Sequence, residues 1–562
     1  MKLNRPPSDG IHHVLSCSPA RRRHAVALLV ALTVAANVFA AEPARMQRGQ
    51  ELYVRNCFAC HQLDGAGVPG VFPPLAKADY LLADIERGIR VVCEGLSGNI
   101  EVNGQKYSGV MPPIVLDDAD VADVFTYILN SWGNPGGDVS AETVARVRSR
   151  SRIKTFERLK SDSSYPALPQ PPEGFTVREV ARLPQKAARM ASDGTGRTLY
   201  LLSENGDVFL LGVASGDVKP LILGNSYLER RPGDVGPPLF VIALARDHEG
   251  RLYIGSNQQN DATLPVQNIV TIYRTTTFVD GQPAEPKVWF QTSYPGNSGY
   301  VHGLEHMAFG PDGMLYANSG ARTDAAEAGR GGERWYTGGE TEITACIWQI
   351  DPKTSPPTMT VFARGLRNAA GFCWNDRGEM IATENGPTAH APEELNLIER
   401  GRHYGFPYTF GNLGGKKIYP HTRDVPEGLE FTLPIPNVGP DGGFDGKPGY
   451  TFDDHSSPGG IVCLGDDFPA EHRGTFVLAR FGNMEKLPRD VGFDVLQARL
   501  TRDASGKYQA QVRTLLAPLG RPFDVHLGGH GRIFVLEYSR ATTNAMSYVL
   551  PGRVLELKAT RR

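Results

Sequence analysis

Cys57-Phe58-Ala59-Cys60-His61 sets two thiols two residues apart with an imidazole directly after them. In that order the thiols form thioethers to both vinyl groups of a haem while the imidazole reaches the iron, which is the attachment chemistry of a c-type haem. Iron then calls for a sixth ligand, and Met111 in Ser108-Gly109-Val110-Met111-Pro112-Pro113 offers a thioether. Three later stretches carry more chemistry than packing requires: 301–313 with His302 and His306, 365–372 with Arg367-Asn368, and 384–407 with Gly386-Pro387, Glu393-Glu394 and His403-Tyr404. His302 supplies a base, Arg367 and Asn368 a guanidinium beside an amide, and the glutamates with neighbouring carbonyls supply oxygen donors suited to Ca²⁺. His306 reads as a structural histidine, and Glu393 reads more readily as a solvated surface charge than as a ligand.

The elements that must position these groups fall into distinct regions. Residues 1–40 hold Arg21-Arg22-Arg23, a short apolar run and small residues at Val38 and Ala40, the pattern of a cleaved export signal. That run is shorter than the roughly 20 residues a membrane span needs. Losing this segment takes the net charge from −2 to about −6. A mildly acidic exported chain is a poor nucleic-acid binder, and no second apolar run of membrane length follows, so an integral membrane protein is not expected. Haem attachment of this kind follows export, which points to the periplasm. Cys93, Cys346, Cys373 and Cys463 remain for disulfides, and the sequence does not choose a pairing.

Residues 45–135 form a first domain, with a helix predicted over 45–56 leading into the haem motif. Asp64-Gly65-Ala66-Gly67 and Phe72-Pro73-Pro74-Leu75 follow, where the backbone can wrap a flat ring without helix. A closing amphipathic helix is predicted over 117–132, with acidic residues at its start. Residues 136–172 read as a linker, containing a solvent-exposed helix over 142–159 and a proline-stiffened stretch over 166–172. From 173 to 562 an apolar strand, a Gly-containing turn and a second strand recur six times. The turns are Asp193-Gly194, Glu249-Gly250, Asp312-Gly313, Arg377-Gly378, Arg473-Gly474 and His530-Gly531. A hairpin repeating at this period without intervening helices marks an all-β six-bladed propeller, so the fold class is multidomain, a small all-α domain followed by that propeller.

The first domain resembles a class I cytochrome c, with Cys57 and Cys60 as thioether positions and His61 and Met111 as iron ligands. The propeller resembles the glucose/sorbosone dehydrogenase family of quinoproteins, on the 301–313, 365–372 and 384–407 motifs in that order. The resemblance implies pyrroloquinoline quinone (PQQ) and Ca²⁺ as cofactors. It makes His302 the base that takes a hydroxyl proton as hydride passes to the quinone, and Arg367 the group that stabilises the developing oxyanion. Asn368, His455, Arg480 and Arg521 fall at PQQ contacts, the carbonyls of Gly386 and Pro387 at the PQQ calcium, and Glu394 and the Tyr404 carbonyl at a structural calcium. The chain departs from the sugar dehydrogenases at Val301, Gly236 and Phe523, where those enzymes carry polar or charged groups.

The expected function is a periplasmic quinohaemoprotein dehydrogenase. It oxidises a sugar, alcohol or aldehyde with PQQ and passes electrons through its haem c to a downstream acceptor of the respiratory chain. Two other readings stay open: a calcium-dependent lactonase-like hydrolase, since a base with Ca²⁺ also suits water attack, and a non-catalytic binding propeller fused to an electron-transfer cytochrome.

Overall fold

The computed structural model describes residues 43–111, 114, 116, 118–148, 165–228, 240–296, 302–325, 334–411, 416–444, 449, 451–484, 487–546 and 550–560. The expected export signal therefore lies outside the described residues, as do Val301, Gly236, Pro112 and Pro113. The chain divides into two compact units, 1–153 and 154–562. Among the described residues no helix is long and apolar enough to cross a membrane.

The first unit is built on helices α1 (Pro43–Asn56), α2 (Phe58–His61), α3 (Asp79–Leu82), α4 (Ile85–Glu94) and α5 (Asp118–Leu129). Helices α1 and α5 cross at Gly49, where a Cβ would lie 2.2 Å from the Asp123 carbonyl oxygen, so only glycine allows the approach. Arg45 and Arg48 reach across this crossing to the buried Asp123 carboxylate at 2.7 and 2.9 Å. Val121, Val124, Phe125 and Ile128 turn the apolar face of α5 inward, as the sequence predicts.

Two features differ from the sequence reading. An antiparallel hairpin, β1 (Leu96–Val102) with β2 (Gln105–Met111), is added to the helices. Met111 accordingly ends a strand. The helix expected over 142–159 is present over 141–148, its remainder lying outside the described residues, and it is not the solvent-exposed strut expected of a linker. Val144 and Val147, one turn apart, are buried in the first unit's core, and Arg148 pairs with Asp118 at 2.7 Å.

The second unit is a six-bladed propeller. Its inner strands are Ala187–Ser192, Phe240–Arg246, Met307–Phe309, Gly371–Trp374, Pro458–Cys463 and Pro522–Gly529. The six repeated turns each join one of these to the second strand of its blade. The fourth blade has three strands, and the fifth gains Asn437–Pro440, parallel to Tyr508–Leu516. Phe175–Arg182 pairs with the C-terminal strand Arg553–Ala559, so the two ends of the unit close the last blade together. Alternation along a strand seals neighbouring blades. In Arg532–Glu537, Ile533 and Val535 pack with Val477 of the fifth blade, whereas Phe534 and Leu536 pack with Leu199 and Leu201 of the first. Each such fully buried side chain contributes roughly 1.5–3 kcal/mol.

This topology explains where the chemistry collects. His302, Arg367, Asn368, His455 and Arg521 each lie just before or at the start of an inner strand, and Arg480, Glu384 and Gly386 at or just after the end of a second strand. All of them therefore stand at one end of the axis, opposite the six turns.

Candidate active site and haem pocket

In the first unit, Cys57, Cys60, His61 and Met111 line a single cavity whose other walls include Leu81, Val92, Ile100 and Phe125. His61 is buried, and its Nδ1 lies 2.9 Å from the Pro73 carbonyl oxygen. A carbonyl only accepts, so Nδ1 carries the hydrogen and Nε2 keeps a lone pair for a metal. Burial lowers the His61 pKa, which the Pro73 contact partly opposes, and the neutral ligand form is favoured. An apolar cavity with two thiols, a neutral imidazole and a thioether on its walls fits a covalently held haem.

In the second unit three sequence-predicted residues meet. His302 Nε2 lies 3.2 Å from Arg367 Nη1, and its Nδ1 lies 2.9 Å from Glu305 Oε1. Asn368 Nδ2 stands 3.2 Å from His302 Nδ1 and donates to Glu305 Oε2 at 3.0 Å. Arg367 is buried and clamped, with Nη2 on Asp324 Oδ1 at 2.6 Å and Nη1 also donating to the Asn385 carbonyl at 3.1 Å. Asp324 in turn accepts from the Tyr419 hydroxyl at 2.7 Å and the Thr388 N–H at 3.0 Å. Burial pushes the Asp324 carboxyl up, but the Arg367 charge and these hydrogen bonds carry it below its ordinary value. His306 is structural, as expected: Nε2 contacts the Phe372 carbonyl at 3.1 Å, and burial drives its pKa down to about 3.

A second cluster holds His455, Arg480 and Arg521. Arg480 is buried and forked onto Asp494 at 2.8 and 2.6 Å, with Asp453 at 3.3 Å. It is thus neither a surface nor a blade-edge charge. The Arg521 guanidinium lies between the rings of Phe481 and Phe493, 4.8 Å from each centroid, and donates to the Gly482 and Asn483 carbonyls at 3.2 and 3.1 Å. His455 adopts a φ of 57°, with Nε2 3.8 Å from Asp454. Glu393, expected as a solvated charge, is only 3% exposed. Its Oε2 accepts from the Gly386 N–H at 2.6 Å and its Oε1 from the Ser457 N–H at 3.5 Å, which joins the two clusters. Burial pushes its carboxyl up to about 7.

Oxygen donors gather around the expected calcium positions. The buried Asn385 Oδ1, next to Gly386, has no hydrogen-bond partner among the described residues. Nor has Asn396 Oδ1, whose Nδ2 bridges Glu384 Oε2 at 2.8 Å and Glu394 Oε2 at 2.9 Å. Glu384 and Glu394 are paired across adjacent strands and fully enclosed, and burial with mutual repulsion raises the Glu384 carboxyl well above its ordinary value. Burial likewise raises Glu394. Two buried carboxyls beside an orphaned amide oxygen suit a hard divalent cation. Tyr404 is buried close by in sequence, its hydroxyl donating to the Leu397 carbonyl at 2.6 Å. The sequence reading missed Glu305, Asp324, Glu384 and Asn396 as parts of the site.

A haem pocket followed by a propeller with its polar residues at one axial end defines a cytochrome joined to a propeller oxidoreductase. The cytochrome c family matches residues 46–132 and the glucose/sorbosone dehydrogenase family matches residues 242–433. The chain belongs to the cytochrome c family through its first domain and carries a glucose/sorbosone dehydrogenase domain in its second. Cytochrome c-552 of Thermus thermophilus is 43% identical over 112 residues, covering 18% of this chain and 85% of that protein. The cytochrome c subunit of the quinone alcohol dehydrogenase of Gluconobacter oxydans is 33% identical over 129 residues, covering 22% of this chain and 27% of that subunit. The PQQ-bound aldose sugar dehydrogenase of Streptomyces coelicolor superposes with a TM-score of 0.45 at 21% identity, covering 69% of this chain and 99% of that one.

Proposed function

We propose that this protein is a periplasmic quinohaemoprotein dehydrogenase that oxidises a sugar, alcohol or aldehyde and delivers the electrons to its own haem c, and from there to a respiratory-chain acceptor. The observation that carries this reading is the meeting of His302, Arg367 and Asn368 at one axial end of a propeller fused to a cytochrome c domain. Bound there, PQQ supplies a two-electron acceptor, and the haem supplies a one-electron outlet on the same chain.

The chain's own residues have separable tasks. A substrate hydroxyl entering between His302 and Arg367 donates its hydrogen to Nε2 and accepts one from Nη1. The base and the charge-stabilising group thus act on one oxygen. Asn368, His455, Arg480 and Arg521 would hold the cofactor. Arg480 and Arg521 are fixed by their own contacts, so they need not reorganise. The Gly386 and Pro387 carbonyls would hold the cofactor's calcium, with the Glu393 carboxyl gripping the Gly386 N–H behind them. Glu394 and the Tyr404 carbonyl would hold a structural calcium, and Cys57, Cys60, His61 and Met111 the haem.

The test is to reconstitute the purified haem protein with PQQ and Ca²⁺ and to screen sugars, alcohols and aldehydes for reduction of the haem band. Reduction that disappears in His302→Ala, with the haem spectrum intact, is the expected result. Turnover of a lactone without PQQ would establish the hydrolase instead, and silence with every substrate would leave a binding propeller.

A further inference from the structure

Beneath His302, a run of hydrogen bonds with forced directions decides which ring nitrogen carries the proton. Asn318 Oδ1 accepts from the backbone N–H groups of Glu305 at 2.7 Å and His306 at 2.8 Å. That fixes its amide, whose Nδ2 donates to Asn368 Oδ1 at 3.0 Å. Asn368 is thereby turned so that its own Nδ2 donates to Glu305 Oε2 at 3.0 Å. The other carboxylate oxygen, Oε1, lies 2.9 Å from His302 Nδ1, nearer than the Asn368 Nδ2 at 3.2 Å. A carboxylate accepts and does not donate, so Nδ1 carries the hydrogen. Nε2 is left with its lone pair 3.2 Å from Arg367 Nη1, a group that only donates. Asn318 and Asn368 are fully enclosed and Glu305 is 7% exposed, so water does not compete for these bonds.

Glu305 stays ionised despite its enclosure. Burial pushes its carboxyl up, but the pairing with His302, the Asn368 hydrogen bond and the Arg189 charge hold it below its ordinary value. Arg189, from the first blade's inner strand, also donates through Nε to the Glu305 carbonyl at 2.9 Å. Residues 302–306 have no regular secondary structure before the inner strand, and Asn257 pins them through the Leu304 N–H at 2.9 Å and carbonyl at 3.1 Å. Among the described residues, the charged groups around the imidazole are Glu305 from its own segment, Arg367 from the segment before the fourth blade, and Arg189 from the first. Asp324 stands behind Arg367 and Asp524 behind Arg189.

We propose that Glu305 is the positioning residue of a His302–Glu305 dyad, holding the imidazole in the Nδ1–H form so that Nε2 is the proton acceptor, with its carboxylate as the counter-charge to the imidazolium that results. A substrate proton arriving at Nε2 leaves an imidazolium whose Nδ1–H still faces the carboxylate, so the charge forms where a counter-charge already stands. The catalytic use of the dyad rests on the dehydrogenase reading; its tautomer and counter-charge do not.

The experiment uses the haem-loaded protein as purified, with neither quinone nor substrate. The rate of diethylpyrocarbonate modification of His302, read by tandem mass spectrometry against pH, gives the pH midpoint of its imidazole. Loss of an opposite charge at this distance shifts a midpoint by about 1–3 units, so Glu305→Gln is expected to titrate that much lower than the wild type, with Glu305→Asp between. In the reconstituted enzyme, the acid limb of the kcat/KM profile should move by the same amount. A shifted modification midpoint without turnover of any substrate keeps the dyad and removes the dehydrogenase. If Glu305→Gln loses the native circular dichroism spectrum, Glu305→Asp carries the test alone. A His302 midpoint equal to that of the wild type in the folded variant overturns the proposal.

Discussion

Gly320 is the residue whose smallest possible enlargement should disable the site. It follows the strand Leu315–Ser319, donates its N–H to the Gly303 carbonyl at 3.0 Å and lies against His302. A Cβ built there would sit 2.3 Å from His302 Cβ and 2.9 Å from its backbone carbon and oxygen. Ordinary carbon contacts begin near 3.5 Å, so in Gly320→Ala the two segments must part by roughly 1 Å. The neighbouring Ala321 binds both halves of the site. Its N–H donates to the Arg367 carbonyl at 2.6 Å and its carbonyl accepts from the His302 N–H at 3.2 Å, so the strain falls on the His302–Arg367 spacing. A misplacement of this size costs about 10²-fold in rate, or about 2.7 kcal/mol of barrier. Overpacking of a buried contact costs a further ~1–3 kcal/mol of stability. The assay is stopped-flow reduction of the haem by substrate in the reconstituted enzyme, with urea unfolding followed by tryptophan fluorescence. Gly465→Ala is the control, because a Cβ there meets nothing within 4 Å. Wild-type reduction rates in Gly320→Ala, or equal losses in both variants, would refute the reasoning.

Met111→Ala should abolish the weak long-wavelength thioether band of the oxidised haem while leaving the haem covalently attached; an unchanged spectrum would remove Met111 from the iron. Calcium chelation should lower the thermal midpoint of the wild-type propeller but not that of Glu394→Gln, since a cation at 100 times its Kd stabilises by about 2.7 kcal/mol. Equal responses would place the stabilising cation elsewhere. Asp524 is 4% exposed and burial raises its carboxyl to about 6, against the Arg189 charge and the Met190 N–H. Between about pH 4 and 6 the folded state then binds more protons than the unfolded one, so stability falls as pH rises through that window. With a shift to about 6, the wild type should lose about 3 kcal/mol relative to Asp524→Asn over that range, measured by denaturant unfolding at each pH. Parallel curves would contradict the assignment.

What the sequence discloses here depends on how local the determining physics is. The haem motif and the six turns are legible because attachment and turn chemistry act over a few residues. His302, Arg367 and Asn368 are legible because each immediately precedes an inner strand, so a motif followed by a blade hairpin locates an axial end. Glu305 was open to the same reasoning through its His-x-x-Glu spacing, but nothing local says that the segment bends to bring the two together; Asn257 of another blade does that. Asp324 and Asn318 are set by ring closure and leave no periodic trace. Glu393 looks like a surface charge because the N–H groups that bury it, Gly386 and Ser457, come from two different blades. The hairpin β1–β2 did leave a signal. Asn103-Gly104 stands at its turn with φ of 52° and 76°, the positive pair that a two-residue type I′ turn requires. Val144 and Val147 lie in a segment whose many arginines mask the packed face.

Four buried cations of the propeller share one design. Arg189 stands by Asp524, Arg367 by Asp324, Arg480 between Asp494 and Asp453, and Arg553 on Glu537 at 2.7 Å. Removing one member of such a pair costs roughly 3–5 kcal/mol, far more than the pair adds over an apolar substitute, so these contacts serve to fix orientation more than to stabilise the fold. Fixed orientation is what a charge-stabilising site requires, because a dipole or cation that need not turn during reaction loses nothing to reorganisation. Phe523 extends the argument to a departure from the sugar dehydrogenases. Its ring lies 4.7 Å from the Arg189 guanidinium and edge-on to Phe481, and its carbonyl accepts from Arg189 at 3.5 Å. Where the resemblance leads one to expect a polar or charged group, the chain instead has an aromatic wall backed by a cation from the first blade. Positive charge is thus kept behind the wall while its face turns apolar.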